Sequence, residues 1–338
     1  MYLSVIIPTR NRAKYLNKAL ESITNQTFPP EEFEVIVVDN GSTDNTKEIV
    51  NSFKKCIINL KYFYENTPGL HVGRHKGLKE STAEILVYAD DDIEASPTWL
   101  EGIYESFASN EVVLVGGKNL PNFESEPPTW IKKMWNQKMQ YGNVLGYLSI
   151  LDFGDETKEI SPFYVFGCNF SIRKAVLEAA GGFHPDGMPQ ELIKFRGDGE
   201  SYVSRYILEK GYKTVYNPKA SVYHLVSNSR MTLEYFEQRA YNQGISDSFS
   251  EIRSSKEQDA SALTFSGKAS IILPNIINIL GPLIYKMFKI FDLLKDPESM
   301  IIKSKINQAY KKGYRYHQNE VRTDNQLLKW VMKENYID

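Results

Sequence analysis

Three consecutive carboxylates, Asp90, Asp91 and Asp92, are the most chemically distinctive residues of this sequence. They follow an apolar run at residues 85–89 that predicts a buried strand. Three adjacent acids repel one another, and burying them without cations would carry a large desolvation cost. On an extended chain Asp90 and Asp92 point to the same side, as two ligands of one hard divalent cation must. The triplet therefore predicts a metal site, with a solvated acidic turn as the alternative.

Further residues whose side chains suit ligand binding lie near the ends of other predicted elements. Asp39 follows an apolar strand at residues 33–38, and it either contacts the ribose or base of a ligand or forms an Asx turn. Arg74 carries a guanidinium that matches phosphate oxygens, although most lone arginines are solvated. His224, after an extended segment, is either a ligand or a structural histidine.

Two acids, Asp198 and Glu200, precede an amphipathic helix predicted over residues 202–209. A carboxylate at a helix N-terminus commonly caps the helix, but its fixed position also suits a general base. A second predicted helix, over residues 233–243, carries Arg239 and follows Arg230. These arginines either reach a diphosphate or an anionic acceptor, or are solvated.

The elements that must position these residues alternate along the chain. Strands are predicted at residues 3–7, 33–38, 60–64 and 85–89, and helices at 13–24, 46–53 and within 69–81. This alternation indicates an α/β fold with a mainly parallel, Rossmann-like sheet and helices on both faces. Ligands bind at the carboxyl ends of such strands, where Asp39 and Asp90 are expected. No glycine-rich phosphate loop follows the first strand, which counts against a P-loop or a dinucleotide cofactor.

The composition is that of an ordinary globular protein. The chain has 338 residues, 42% of them hydrophobic, and a formal net charge of −2, which gives no basic field for nucleic acid. Cys56 and Cys168 fit no ligand spacing, which favours a reducing compartment. The apolar run at the N-terminus is too short for a signal peptide, and no transmembrane span is predicted. These features predict a cytoplasmic enzyme.

An ordered series of motifs resembles the inverting nucleotide-sugar glycosyltransferases of family 2, which have the A-type glycosyltransferase fold. The motifs are Val5-Ile-Ile-Pro-Thr-Arg-Asn-Arg12, Val35-Ile-Val-Val-Asp-Asn-Gly-Ser-Thr-Asp44, Gly69-Leu-His-Val-Gly-Arg-His-Lys-Gly77, Val87-Tyr-Ala-Asp-Asp-Asp92, Gly181-Gly-Phe183, Gly197-Asp198 and Val222-Tyr-His224. The resemblance covers roughly residues 1–245, which are therefore the predicted catalytic domain. Residues 246–338 are predicted to be a helical C-terminal extension.

The resemblance implies a role for each matching residue. The residues implied in nucleotide-sugar binding are Pro8, Thr9, Arg10, Asp39, Arg74, Asp90 and Asp91. Asp92 and His224 are implied as ligands of Mn²⁺ or Mg²⁺, and Asp198 as the base. Many relatives have Glu-Asp where this chain has Gly197-Asp198, which leaves Glu200 open as the base.

The implied reaction transfers a sugar with inversion from a nucleoside-diphosphate sugar, expected to be a UDP-sugar, to a hydroxyl of a glycan or lipid-linked acceptor in cell-surface polysaccharide synthesis. A nucleotidyltransferase is an alternative, but it would usually show a glycine-rich loop where this chain has Pro8-Thr-Arg-Asn. An inactive glycan-binding scaffold is a second alternative. The complete set of Asp39, Asp90, Asp92 and Asp198 argues against it.

The C-terminal third carries a polar segment at residues 251–260, predicted to be a linker, and an amphipathic helix at residues 271–294. That helix packs either on the catalytic domain or on a second subunit, which would make a homo-oligomer. The alternative is a helix lying on a membrane surface, which would suit a lipid-linked acceptor and place the protein peripherally on the inner face of the membrane. Residues 303–333 are predicted to form one or two surface helices.

Overall fold

Residues 1–262 and 296–337 are described in this computed structural model, apart from the side chains of residues 256–262. The amphipathic helix predicted at residues 271–294 lies outside the described residues. None of the described helices combines the length and the apolar character needed to cross a membrane.

Two sheets and ten α-helices account for most of the described chain. The strands are β1 (Leu3–Thr9), β2 (Phe33–Asp39), β3 (Leu60–Tyr64), β4 (Ile85–Ala89), β5 (Ile93–Ala95), β6 (Val112–Gly116), β7 (Asn119–Phe123), β8 (Asn143–Leu145), β9 (Ile150–Asp152), β10 (Lys158–Glu159), β11 (Asn169–Arg173), β12 (Lys213–Tyr216) and β13 (Val222–Val226). The helices are α1 (Ala13–Thr24), α2 (Thr46–Phe53), α3 (Leu70–Glu80), α4 (Trp99–Ser106), α5 (Thr129–Trp135), α6 (Lys174–Ala179), α7 (Glu200–Glu209), α8 (Leu233–Ala262), α9 (Pro297–Thr323) and α10 (Asn325–Val331).

The larger sheet has the order β10-β12-β6-β11-β4-β1-β2-β3. Strands β4, β1, β2 and β3 are all parallel, whereas β11 is antiparallel to both of its neighbours. Every residue of β1, β2 and β4 is buried, because helices cover the sheet and leave no solvated face. This explains their continuous apolar sequences and confirms the predicted fold class.

A smaller sheet, of order β5-β13-β7-β9-β8, forms next to the acidic triplet. Strand β5 begins directly after Asp92 and pairs antiparallel with β13, in a register that places His224 opposite Ile93. This pairing brings His224 to the triplet across more than 130 residues of sequence.

The prolines and tryptophans at residues 119–147 predict an irregular loop, whereas the structure forms β7, α5 and β8 there. Trp130 and Ile131 of α5 are buried in a small core against Phe236 of α8. The expectation of irregular structure was wrong because these apolar residues find non-local partners, which local turn signals do not reveal.

Helix α8 runs through residues 251–260, where a polar linker was expected. It is held by α9: Tyr310 donates a hydrogen bond of 2.7 Å to Asp247, and Ser248 lies 2.8 Å from His317. One or two helices were expected over residues 303–333, and the structure has α9 and α10 there. The domain boundary predicted at residue 245 falls inside α8, and the division into two units stays a prediction.

Candidate active site

A pocket of about 280 Å³ opens at the carboxyl ends of β1 and β4. Its lining residues are Pro8, Thr9, Arg10, Arg12, Asn40, Gly69, Leu70, Asp90, Asp91, Asp92 and Gly187. The structure therefore brings together six of the predicted site residues. They are Pro8, Thr9 and Arg10 at the carboxyl end of β1, and the three acids of the triplet.

Arg12 binds two acids of the triplet. Its Nε lies 2.7 Å from Asp91 Oδ1, and its Nη2 lies 2.6 Å from Asp92 Oδ2. Thr9 donates a further hydrogen bond of 2.6 Å to Asp91. Burial raises the pKa of Asp91 to about 7, although Arg12 opposes this shift. Sequence reasoning missed Arg12 as a site residue, and its position in the loop after the first strand was the available signal.

One oxygen each from Asp90 and Asp92, together with a ring nitrogen of His224, lie within 4.8 Å of one another. Asp92 Oδ1 is buried and, within the described part of the chain, accepts no hydrogen bond, while His224 Nε2 lies 3.3 Å from it. His224 Nδ1 lies 3.0 Å from the carbonyl oxygen of Leu148 and donates to it, so Nε2 is the ring nitrogen that faces the carboxylates. Two carboxylates and an imidazole with a fixed tautomer fit a divalent cation.

The electrostatics of these acids also suit a cation. Burial raises the pKa of Asp90, and the charge of Asp92 adds to the shift. Burial likewise raises the pKa of Asp92, but His224, Arg12 and Arg230 together lower it below its ordinary value. Arg230 Nη1 lies 3.5 Å from Asp92 Oδ2 and 3.2 Å from His224 Nε2. The site thus holds one acid that cations already keep ionised and one whose ionised form a bound cation would stabilise.

Asp39 ends β2 and is buried. It does not line the pocket itself, whereas the next residue, Asn40, does. Its Oδ1 accepts a hydrogen bond of 2.7 Å from the backbone N–H of Ser42, and its Oδ2 accepts one of 2.7 Å from the Tyr62 hydroxyl. Asp39 therefore forms the turn given above as its alternative role. Its contact with a nucleotide stays a prediction.

Arg74 is buried, with 2% of its surface exposed, so the solvated alternative is wrong. Its Nη2 lies 3.8 Å from Asp90 Oδ1 and its Nη1 lies 3.3 Å from Glu200 Oε2, and the guanidinium packs over the ring of Phe183. A β-carbon at position 167 would lie 2.3 Å from Arg74 Nη2, so Gly167 makes room for this side chain. Arg74 connects the acidic triplet to the start of α7.

The two candidate bases face different surroundings. Asp198 is buried, and its carboxylate contacts His184 at 2.5 Å, Ser250 at 2.6 Å and Arg205 at 3.5 Å. Burial by itself raises the pKa of Asp198, but His184 and Arg205 bring it well below its ordinary value. The side chain of Glu200 is 28% exposed and faces Arg74. Gly199 between them has a φ of +54°, a left-handed turn that separates the two side chains.

Comparisons with known proteins give the family. The model of glycosyl transferase family 2 matches residues 4–181. A glucosyl-dolichyl phosphate glucuronosyltransferase of Haloferax volcanii is 22% identical over 249 residues, which are 73% of this chain and 76% of that protein. The glycosyltransferase AglE of the same organism is 39% identical over 117 residues, 34% of this chain and 38% of that protein.

A validoxylamine A glucosyltransferase of Streptomyces hygroscopicus is 35% identical over 108 residues, 31% of this chain and 24% of that protein. The match to this enzyme and that to AglE thus span well under half of those relatives. Among solved structures, a mannosyltransferase of Pyrobaculum calidifontis in complex with GDP-Man and Mn²⁺ superposes with a TM-score of 0.53 at 18% identity, covering 99% of this chain and 84% of that one. This likeness supports the A-type glycosyltransferase fold. The chain belongs to glycosyl transferase family 2.

Proposed function

We propose that this enzyme is a metal-dependent inverting glycosyltransferase that moves a sugar from a nucleoside-diphosphate sugar to an acceptor hydroxyl. The observation that carries the proposal is the cluster of Asp90, Asp92 and His224 at the edge of the pocket between β1 and β4. The resemblance of the motifs favours a UDP-sugar as the donor. One relative is named for a lipid-linked substrate, glucosyl-dolichyl phosphate, which supports a glycan or lipid-linked acceptor in polysaccharide synthesis.

The pocket residues suit a nucleotide. Pro8, Thr9 and Arg10 line this pocket. Arg12 also lines it and is held in place by its ion pair with Asp91. We infer that the diphosphate lies toward the acidic triplet, because Asp90, Asp92 and His224 would hold a cation there. When bound, that cation neutralises charge on the leaving diphosphate.

We further propose that Glu200, rather than Asp198, removes the proton from the acceptor hydroxyl. The acceptor oxygen forms a bond to the anomeric carbon while the bond from that carbon to the diphosphate oxygen breaks. Glu200 takes the hydroxyl proton, and the nucleoside diphosphate leaves from the opposite face. An α-linked donor then gives a β-linked product.

Two observations support Glu200. Its side chain is partly exposed and pairs with Arg74, which also lies beside Asp90, so it faces the predicted donor site. The Asp198 carboxylate is held by His184 at 2.5 Å, Ser250 at 2.6 Å and Arg205 at 3.5 Å. Glu200 has longer contacts, 3.3 Å to Arg74 and 3.4 Å to the backbone N–H of Gly167, so its carboxylate is the more available to an acceptor hydroxyl.

Calorimetric titration of UDP, GDP and dTDP in the presence of Mn²⁺ or Mg²⁺ tests the donor and metal proposals. We expect one nucleotide to bind with the metal, and Asp92→Asn to weaken that binding about 30-fold or more, because a charged ligand of the cation is lost. Asp155→Asn is the matched control, since the Asp155 side chain is 91% exposed and pairs with Lys118. Equal nucleotide binding in EDTA would contradict metal dependence, and no binding of any nucleotide would contradict the donor class.

A further inference from the structure

A second pocket, of about 90 Å³, is lined by Glu200 but not by the acidic triplet. Phe163, Val165 and Phe166 give it an apolar wall, and α8 lines it with Arg239, Gln243 and Ser246. These three α8 residues are four and three positions apart, so they lie on one face of the helix. With a volume of about 90 Å³, the pocket suits one edge or substituent of a sugar, held between an apolar wall and a polar helix face.

Each carboxylate that lines this pocket lies beside an arginine other than Arg239. Asp186 pairs with Arg196 at 2.6 Å. Asp198 lies 3.5 Å from Arg205, and Glu200 lies 3.3 Å from Arg74. The negative charges of the pocket are therefore neutralised by residues of the protein.

Arg239 is the exception among the charged lining residues. Within the described part of the chain it makes no hydrogen bond and no ion pair, although it is only partly exposed. Burial lowers the pKa of Arg239, but Tyr235, Asp186 and Glu200 raise it above its ordinary value, so the side chain stays charged. Asp186 and Glu200 are held by Arg196 and Arg74, so the N–H donors of Arg239 remain available to an anion that enters the pocket.

We propose that this second pocket binds an acceptor sugar that carries a carboxylate or a phosphate, and that Arg239 forms the ion pair with that anion. A guanidinium offers two parallel N–H donors, which match the oxygens of either group. The inference rests on the proposed function, in which Glu200 faces the acceptor hydroxyl. It adds the chemical class of the acceptor: an acidic sugar rather than a neutral one.

Calorimetric titration of glucuronate and of methyl phosphate into the full-length enzyme tests this proposal. The titrations are made with nucleotide and metal already bound, so that the cations of the first pocket are occupied, and glucose is the neutral probe. The variants are Arg239→Gln, Arg239→Lys and, as a matched control, Arg322→Gln, because Arg322 is exposed on α9. Thermal melting of each variant checks that it is folded.

We expect at least one anion to bind, with its affinity about 10- to 100-fold lower in Arg239→Gln, partly restored in Arg239→Lys and unchanged in Arg322→Gln. Binding of glucuronate alone identifies an acceptor with a uronic acid, and binding of methyl phosphate alone identifies a sugar phosphate. Equal affinity of the wild type and Arg239→Gln, or no binding of either anion to the wild type, would overturn the proposal. If no nucleotide binds, that result counts against the proposed function and not against the role of Arg239. The anion titrations are then made on the nucleotide-free protein.

Discussion

Replacing Glu200 with glutamine separates the two candidate bases most directly. Glutamine keeps the size of the side chain and its contact with the backbone N–H of Gly167, but it cannot accept a proton. We expect kcat to fall about 10²- to 10⁴-fold, which corresponds to about 3–5.5 kcal/mol in the activation barrier. Folding and donor binding should change little, because Glu200 is partly exposed and Arg74 keeps Asp90 as a partner.

The matched variant, Asp198→Asn, should show the opposite pattern. Asparagine would present an amide N–H₂ to groups that now contact the carboxylate, His184 at 2.5 Å and Ser250 at 2.6 Å, and it would leave Arg205 without its buried acid. Breaking a buried charge pair costs about 3 kcal/mol or more, so we expect lower stability toward urea. The fraction of Asp198→Asn that remains folded should keep a kcat within about threefold of the wild type, because the Asp198 carboxylate is held by His184, Ser250 and Arg205.

The assay is release of nucleoside diphosphate from the donor, with kcat and KM measured beside urea unfolding of the same preparations. A wild-type-like kcat in Glu200→Gln, together with a loss of 100-fold or more in folded Asp198→Asn, would refute the assignment and make Asp198 the base. Comparable losses in both variants would also refute it, because they would show that the two acids act as one unit.

Two further predictions concern the interior of the protein. Burial raises the pKa of Asp247 to about 7, so its contribution to stability is full below pH 4 and is lost as the pH rises through 7. Between pH 5 and pH 8, the free energy of unfolding measured with urea should therefore rise by about 3 kcal/mol in Asp247→Asn relative to the wild type. Parallel pH profiles of the two proteins would contradict this prediction. In Gly167→Ala the new β-carbon would lie 2.3 Å from Arg74 Nη2 and 3.2 Å from Glu200 Oε1. Displacement of Arg74 and Glu200 should lower kcat about 10²-fold, and a wild-type kcat would show that neither side chain moves.

Local sequence was sufficient for the first half of the fold. The limits of α1, α2, β3 and β4 agree with the predicted ranges, because short apolar runs and helical spacing are local signals. The acidic triplet follows directly from a buried strand, so its place at the sheet edge was also predictable. The position of the loop after β1 at this edge was predictable too, because that loop also follows a buried strand.

The sequence by itself therefore determined the sheet edge and the chemistry of its aspartates, whereas the partners of those aspartates depend on tertiary structure. His224 reaches Asp92 only because β5 pairs with β13, a long-range contact that no local pattern specifies. The left-handed turn at Gly199 decides that Glu200, and not Asp198, faces Arg74. Helix α8 continues through a polar stretch because α9 packs against it, and tertiary packing overrides weak local propensity.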